Sequence, residues 1–154
     1  MKKYFLQFLT AMAALVLVAC SKSDDDATFY GVKAELDGIG LEIKQSGGMV
    51  NTATMGESLT IYAYTADNEG FIIWLETTTE TGTYDLADSE VSITYVKDAL
   101  SSDYYGFDSG TMSITKLEQG DDIHFKATFS GEASPNFGTD PAVVITDGEA
   151  EIKF

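Results

Sequence analysis

Alternation of apolar and polar residues, broken at short intervals by turn-forming dipeptides, is what most limits the folds open to this chain. Ile123, Phe125, Ala127 and Phe129 alternate with His124, Lys126, Thr128 and Ser130. Ala150, Ile152 and Phe154 alternate with Glu149, Glu151 and Lys153, and Val91, Ile93 and Tyr95 with Ser92 and Thr94. Successive side chains of a strand point to opposite faces, so each run reads as a strand with one apolar and one wet face. Helical periodicity is nearly absent beyond the first twenty or so residues. Asp147-Gly148, between two alternating runs, is the strongest hairpin signal, because both central residues of a type I′ turn need positive φ. Asp37-Gly38, residues 67–70 and residues 120–122 supply further turns. The pattern predicts about ten short strands: 29–36, 39–44, 48–53, 58–65, 71–77, 83–86, 91–97, 110–117, 122–130, and 142–146 followed by 149–154, with a short helical turn near 97–102. Many short strands with frequent turns imply an all-β chain, an antiparallel sandwich or barrel.

The first residues do not belong to that pattern. Lys2 and Lys3 precede an uncharged, mostly apolar run from Tyr4 to Ala19. The run is shorter than the roughly 20 apolar residues needed to span a bilayer as a helix, and fits a cleaved helical signal peptide. Leu17-Val18-Ala19-Cys20 resembles the lipobox of bacterial lipoproteins. The resemblance implies removal of residues 1–19 and a lipid on the Cys20 thiol, with two or three acyl chains for durable anchoring. Cys20 is the single cysteine, so no disulfide forms within the chain. Ser21-Lys22-Ser23-Asp24-Asp25-Asp26 is too polar to bury and reads as a spacer. It is also similar to the acidic signal that sends lipoproteins of Bacteroidota to the outer face of the outer membrane. The expected organisation is therefore a leader over 1–19, a lipid-anchored acidic linker over 20–27 and a single β domain over 28–154. The expected location is the outer membrane, facing the cell exterior.

Charge narrows the partners. Against 25 acidic residues stand 9 lysines and no arginine, for a formal net charge of −16. Nucleic-acid binding needs clustered Lys and Arg to displace phosphate counterions, and that function is excluded. A domain resting on anionic lipid is disfavoured for the same reason, so the membrane is a partner only through the lipid on Cys20.

The last third of the chain carries a family resemblance. Gly110-Thr111-Met112-Ser113-Ile114-Thr115-Lys116-Leu117, then His124-Phe125-Lys126-Ala127-Thr128-Phe129-Ser130-Gly131, then Val144-Ile145-Thr146-Asp147-Gly148-Glu149-Ala150 resemble segments of an uncharacterised family of Bacteroidota surface lipoproteins. Thr83-Tyr84-Asp85-Leu86 resembles another of its stretches. Lys126-Ala127 depart from the glycine usual there, and residues 37–57 match poorly. These are strand and turn residues, and the family brings no activity with it.

No catalytic motif is present: no phosphate-binding glycine loop, no zinc-type histidine pair, no nucleophile elbow. His124, the sole histidine, falls on the polar face of a strand. The expectation is a protein that is not an enzyme and needs no cofactor. Calcium is the one metal the residues suggest, since Asp67, Asn68 and Glu69 cluster in one turn and Asp121 and Asp122 in another, and hard cations want several oxygens. Turns also favour these residues for backbone reasons alone.

Aromatic residues supply the ligand-binding candidates. With 66–70 as a loop, Tyr62 falls opposite Trp74 and Tyr64 opposite Ile72, on one face of a hairpin whose other face carries Leu59, Ile61, Ala63, Phe71, Ile73 and Leu75. Either the Tyr/Trp face is covered by the rest of the chain, or it is an exposed platform for a sugar ring or a protein partner. Tyr104, Tyr105 and Phe107, read as a loop, would extend that platform, and Phe137 would be another apolar tip. The expected function is a lipid-anchored surface binding module for a glycan or protein. A structural or accessory lipoprotein of an outer-membrane complex is the alternative, and a two-carboxylate glycan hydrolase the third.

Overall fold

The structure, a computed structural model, describes residues 29–154 apart from 48, 56, 88, 89 and 121. The leader, Cys20, the acidic linker and Asp121 lie outside the described residues. Ten strands follow in chain order: β1 (Gly31–Leu36), β2 (Ile39–Lys44), β3 (Met49–Met55), β4 (Ser58–Tyr64), β5 (Gly70–Glu76), β6 (Gly82–Asp85), β7 (Val91–Asp98), β8 (Asp103–Glu118), β9 (His124–Pro135) and β10 (Val143–Lys153). They form one antiparallel sheet in the order β2-β1-β10-β9-β8-β7-β5-β4-β3, with β6 added alongside β8.

The connection between β2 and β3 shows that this sheet must curl. Those two strands stand at opposite ends of the hydrogen-bonded order. At about 4.8 Å per step a flat sheet would hold them about 38 Å apart. Residues 45–48 join them and reach about 19 Å at full stretch. The sheet therefore rolls up until its two edges approach, giving a nearly closed antiparallel barrel. Of the two architectures the sequence allowed, this is the barrel.

Closure also requires stagger, and β8 supplies it. Crossing the sheet from Val50 on β3 through Ala63, Phe71 and Tyr95 arrives at Tyr105 on β8. Crossing from Ile43 on β2 through Val32, Ala150 and Ala127 arrives at Ile114. The two paths land about 30 Å apart along one strand at 3.3 Å per residue. The first part of β8 thus pairs with β7 and a later part with β6.

One apolar cluster fills the inside, with contributions from every strand. Rings of Phe129, Phe71, Tyr95 and Tyr105 follow one another through it, with centroids 5.4, 5.8 and 5.5 Å apart. Phe125 and Met112 are fully buried alongside. This barrel is packed with side chains along that column, as small barrels are.

Several expectations need correction. Asp147-Gly148 is no hairpin: β10 runs unbroken through it, with a bulge between Ile145 and Gly148. Asp147 does take positive φ, at 49°, the backbone the dipeptide favours, but inside a strand paired on both sides. Residues 103–109 are not a loop but the start of β8, and residues 99–102 form a turn rather than a helical one. The β4–β5 pairing is shifted by two residues: Trp74 faces Thr60, Tyr62 faces Ile72, and Tyr64 faces Gly70.

Candidate functional site

The hairpin β4–β5 is apolar on both faces, and the barrel uses them differently. Leu59, Ile61, Ala63, Phe71, Ile73 and Leu75 point inward and are buried. Tyr62, Tyr64, Ile72 and Trp74 point outward and are half-buried. The outer face continues onto the neighbouring strands, because Ile72 pairs with Thr94 and Trp74 with Ser92 on β7. A lateral row runs from Tyr64 through Gly70 and Val96 to Tyr104 on β8.

Val96 anchors this outer face. Its neighbours Val91, Ile93 and Tyr95 belong to the inner cluster and alternate with it. Val96 lies outside that cluster yet is fully buried, so it is covered from the outside. Gly70 stands beside it in the row. A side chain at Gly70 would overlap the Ala63 carbonyl oxygen, so glycine is required where β5 approaches the β4 backbone. Burial pushes the Tyr64 hydroxyl above its ordinary value, and the nearby Tyr104 and Tyr62 hydroxyls add to this. Three tyrosine hydroxyls thus gather at one edge of an apolar patch, with Trp74 towards the other.

Tyr105 and Phe107 are the exceptions among the aromatic candidates: Phe107 packs against the inner cluster from the same side of β8. Being next to Tyr104 in a strand, Tyr105 points the opposite way and is 1% exposed. It belongs to the core and cannot present a platform. Its hydroxyl donates to Asp140 at 3.2 Å, and Lys97 donates to the same carboxylate at 3.0 Å. The Lys97 ammonium and the Tyr105 hydroxyl hold the Asp140 carboxyl below its ordinary value. Asn136 N–H donates to the Tyr104 carbonyl. Together these bonds clasp the β9–β10 loop to the mouth of the barrel, leaving Phe137 at its tip exposed.

The turn proposed for calcium is held by its own bonds, and one of its three side chains, Glu69, is taken up by Tyr95. The Thr65 hydroxyl accepts from the N–H groups of Asp67 and Glu69, each at 3.3 Å. Asn68 has φ 65°, a backbone that asparagine tolerates better than most residues. Tyr95 donates to the Glu69 carboxylate at 2.5 Å. Burial and this bond push the Tyr95 hydroxyl well above its ordinary value. Asp122 is exposed, and among the described residues no group of three His, Cys, Asp or Glu is placed to hold a metal ion.

Two features escaped the sequence reading. His124 sits between two carboxylates, with Nε2 3.5 Å from Glu151 and Nδ1 3.9 Å from Glu118. A concave groove also runs over the outside of β1, β10, β9 and β8. Neither has a local sequence signal: His124 meets carboxylates from two other strands, and the groove gathers side chains from four strands. Among the described residues, no helix is long and apolar enough to cross a membrane. Compared with known proteins, the chain matches no family model, no curated protein and no solved structure.

Proposed function

We propose that this protein is a non-catalytic binding module, displayed on the outer membrane by a lipid on Cys20, whose outer Tyr/Trp face receives a protein partner. The observation that carries the reading is the placement of Tyr62, Tyr64, Trp74 and Tyr104 on one half-buried outer face, around a valine already shielded from water. Tyrosine and tryptophan combine apolar area with a polar handle and dominate the energetics of protein interfaces. The charge of −16 favours a partner with a basic surround. The lipobox and the acidic linker support the location, and the lipid supplies the membrane attachment. A permanent subunit of an outer-membrane complex would use the same face. It would differ in surviving detergent extraction as a complex.

Trp74 is the single tryptophan, so its fluorescence reports on this face alone. Acrylamide should quench it in the free protein, and cross-linking from position 62 or 104 in intact cells should capture one defined partner. Trp74→Ala should weaken that capture by about tenfold or more, as loss of an aromatic hot spot does. A tryptophan that resists quenching and emits as a fully buried ring would overturn the reading.

A further inference from the structure

We infer that the groove across β1, β10, β9 and β8 is a second ligand site, and that it takes an uncharged oligosaccharide. Its lining carries five hydroxyl side chains: Thr111 and Ser113 from β8, Thr128 and Ser130 from β9, and Thr146 from β10. The sheet register sets them in rows, with Ser113 facing Thr128 and Thr111 facing Ser130. Thr128 in turn faces Glu149, which faces Lys33. Ser113 bonds Thr83 at 3.4 Å; the other four hydroxyls make no hydrogen bond with another described residue, and are open to a ligand.

Two backbone features shape the surface and aim groups into it. The β10 bulge turns both Thr146 and Asp147 outward, where a regular strand would send one of them inside. Bulges are a common means of re-aiming a side chain at a site. Gly148 follows, and a side chain there would collide with the Phe129 ring. The Phe129 side chain belongs to the inner cluster, so its backbone and that of Gly148 form the floor, with the Lys33–Glu149 ion pair, at 2.7 Å, on one wall.

The chemistry of this lining selects the ligand. A hydroxyl side chain both donates and accepts, and a carboxylate such as Asp147 accepts from two donors at once, which matches a sugar diol. Asp147 and Glu149 outnumber Lys33, so phosphates, uronates and nucleic acids are repelled. The floor lies over strands paired on both sides, so no free backbone edge is offered to an extended peptide. No row of apolar side chains is present to hold a lipid or a hydrophobic small molecule.

The full-length protein in detergent micelles would be titrated by calorimetry with neutral hexasaccharides (gluco-, xylo- and manno-configured) and with oligogalacturonate. At least one neutral hexasaccharide should bind at concentrations up to about 5 mM, and oligogalacturonate should not. Thr128→Val combined with Ser130→Ala should weaken binding about tenfold, as expected for losing two hydrogen bonds. These positions are exposed, and an unchanged Tm would show that the variant folds. Trp74→Ala should leave sugar binding unchanged. The inference is overturned if no neutral hexasaccharide binds, if oligogalacturonate binds as well as they do, if the double variant binds normally, or if Trp74→Ala abolishes binding.

Discussion

Glu151 shows how one residue can break the pattern that places it. Alternation with Ala150 and Ile152 puts it on the wet face, yet it is 7% exposed. Lys126, opposite it on β9, donates to its carboxylate. That bond, helped by Lys126 charge and by His124, outweighs burial and holds the Glu151 carboxyl below its ordinary value. A carboxyl lowered on folding stabilises the native state above its unfolded pKa. That contribution is lost as pH falls through the folded value. Lys126→Met leaves the carboxylate covered and without its cation. The variant should melt several degrees below the parent at pH 7, and the gap should close as pH falls below the carboxylate range. A gap of constant size from pH 7 to pH 3 would place the effect elsewhere, in lost packing of the lysine stem. Tyr104 and Tyr105 teach the same lesson more simply. Adjacent and chemically identical, they end on opposite faces because a strand alternates.

At the scale of elements, faces and most boundaries were legible, and the full lengths of β8, β9 and β10 were not. Tyr62, Tyr64 and Trp74 were assigned to one face correctly, although the register was wrong. The error was two residues, and an even slip leaves every side chain on its own face. The β8 strand was missed before position 110 because glycine and serine in 106–110 imitate a loop. Gly106 instead lies under the Asn136 side chain, and Gly110 bends a continuous strand at φ 129°. Gly110 faces Gly131 across the β8–β9 ladder beside a bulge. A side chain on Gly131 would overlap the Ser109 carbonyl oxygen, and one on Gly110 the Ser130 carbonyl oxygen. Gly131→Ala should therefore cost about 2–4 kcal/mol, in the range of strain and overpacking at closed sites, measured by urea unfolding. A loss under about 0.5 kcal/mol, the level of an ordinary surface substitution, would show that the ladder yields there. Asp147-Gly148 is the instructive miss. The positive φ was anticipated, but a hairpin and a bulge ask the same of that residue. Only the partners of residues 149–153 on β1 and β9 decide between them.

For the whole molecule, closure and charge oppose each other. The barrel wraps a single core, but its outside carries most of an excess of acid over base that amounts to −16 for the chain. Self-repulsion of that size weakens the compact state and is screened within about 10 Å at 0.1 M salt. Raising sodium chloride from about 10 to about 150 mM should therefore raise Tm. No increase would mean that cross-strand pairs such as Lys33–Glu149 and Lys126–Glu151 already offset the local repulsion, since screening weakens attraction and repulsion alike.

Alternation by itself determined that this chain is built of strands, which side chains face the core, and that two aromatic-bearing strands are apolar on both sides. These are consequences of a two-residue period, which is local and survives any choice of partner. The pairing of β10 with β1, the approach of β2 to β3, the burial of Tyr105, and the groove between β1 and β8 were decided only by the tertiary structure. Each depends on contacts between residues far apart in sequence, and those contacts are chosen jointly, by burying one core as the sheet closes round it.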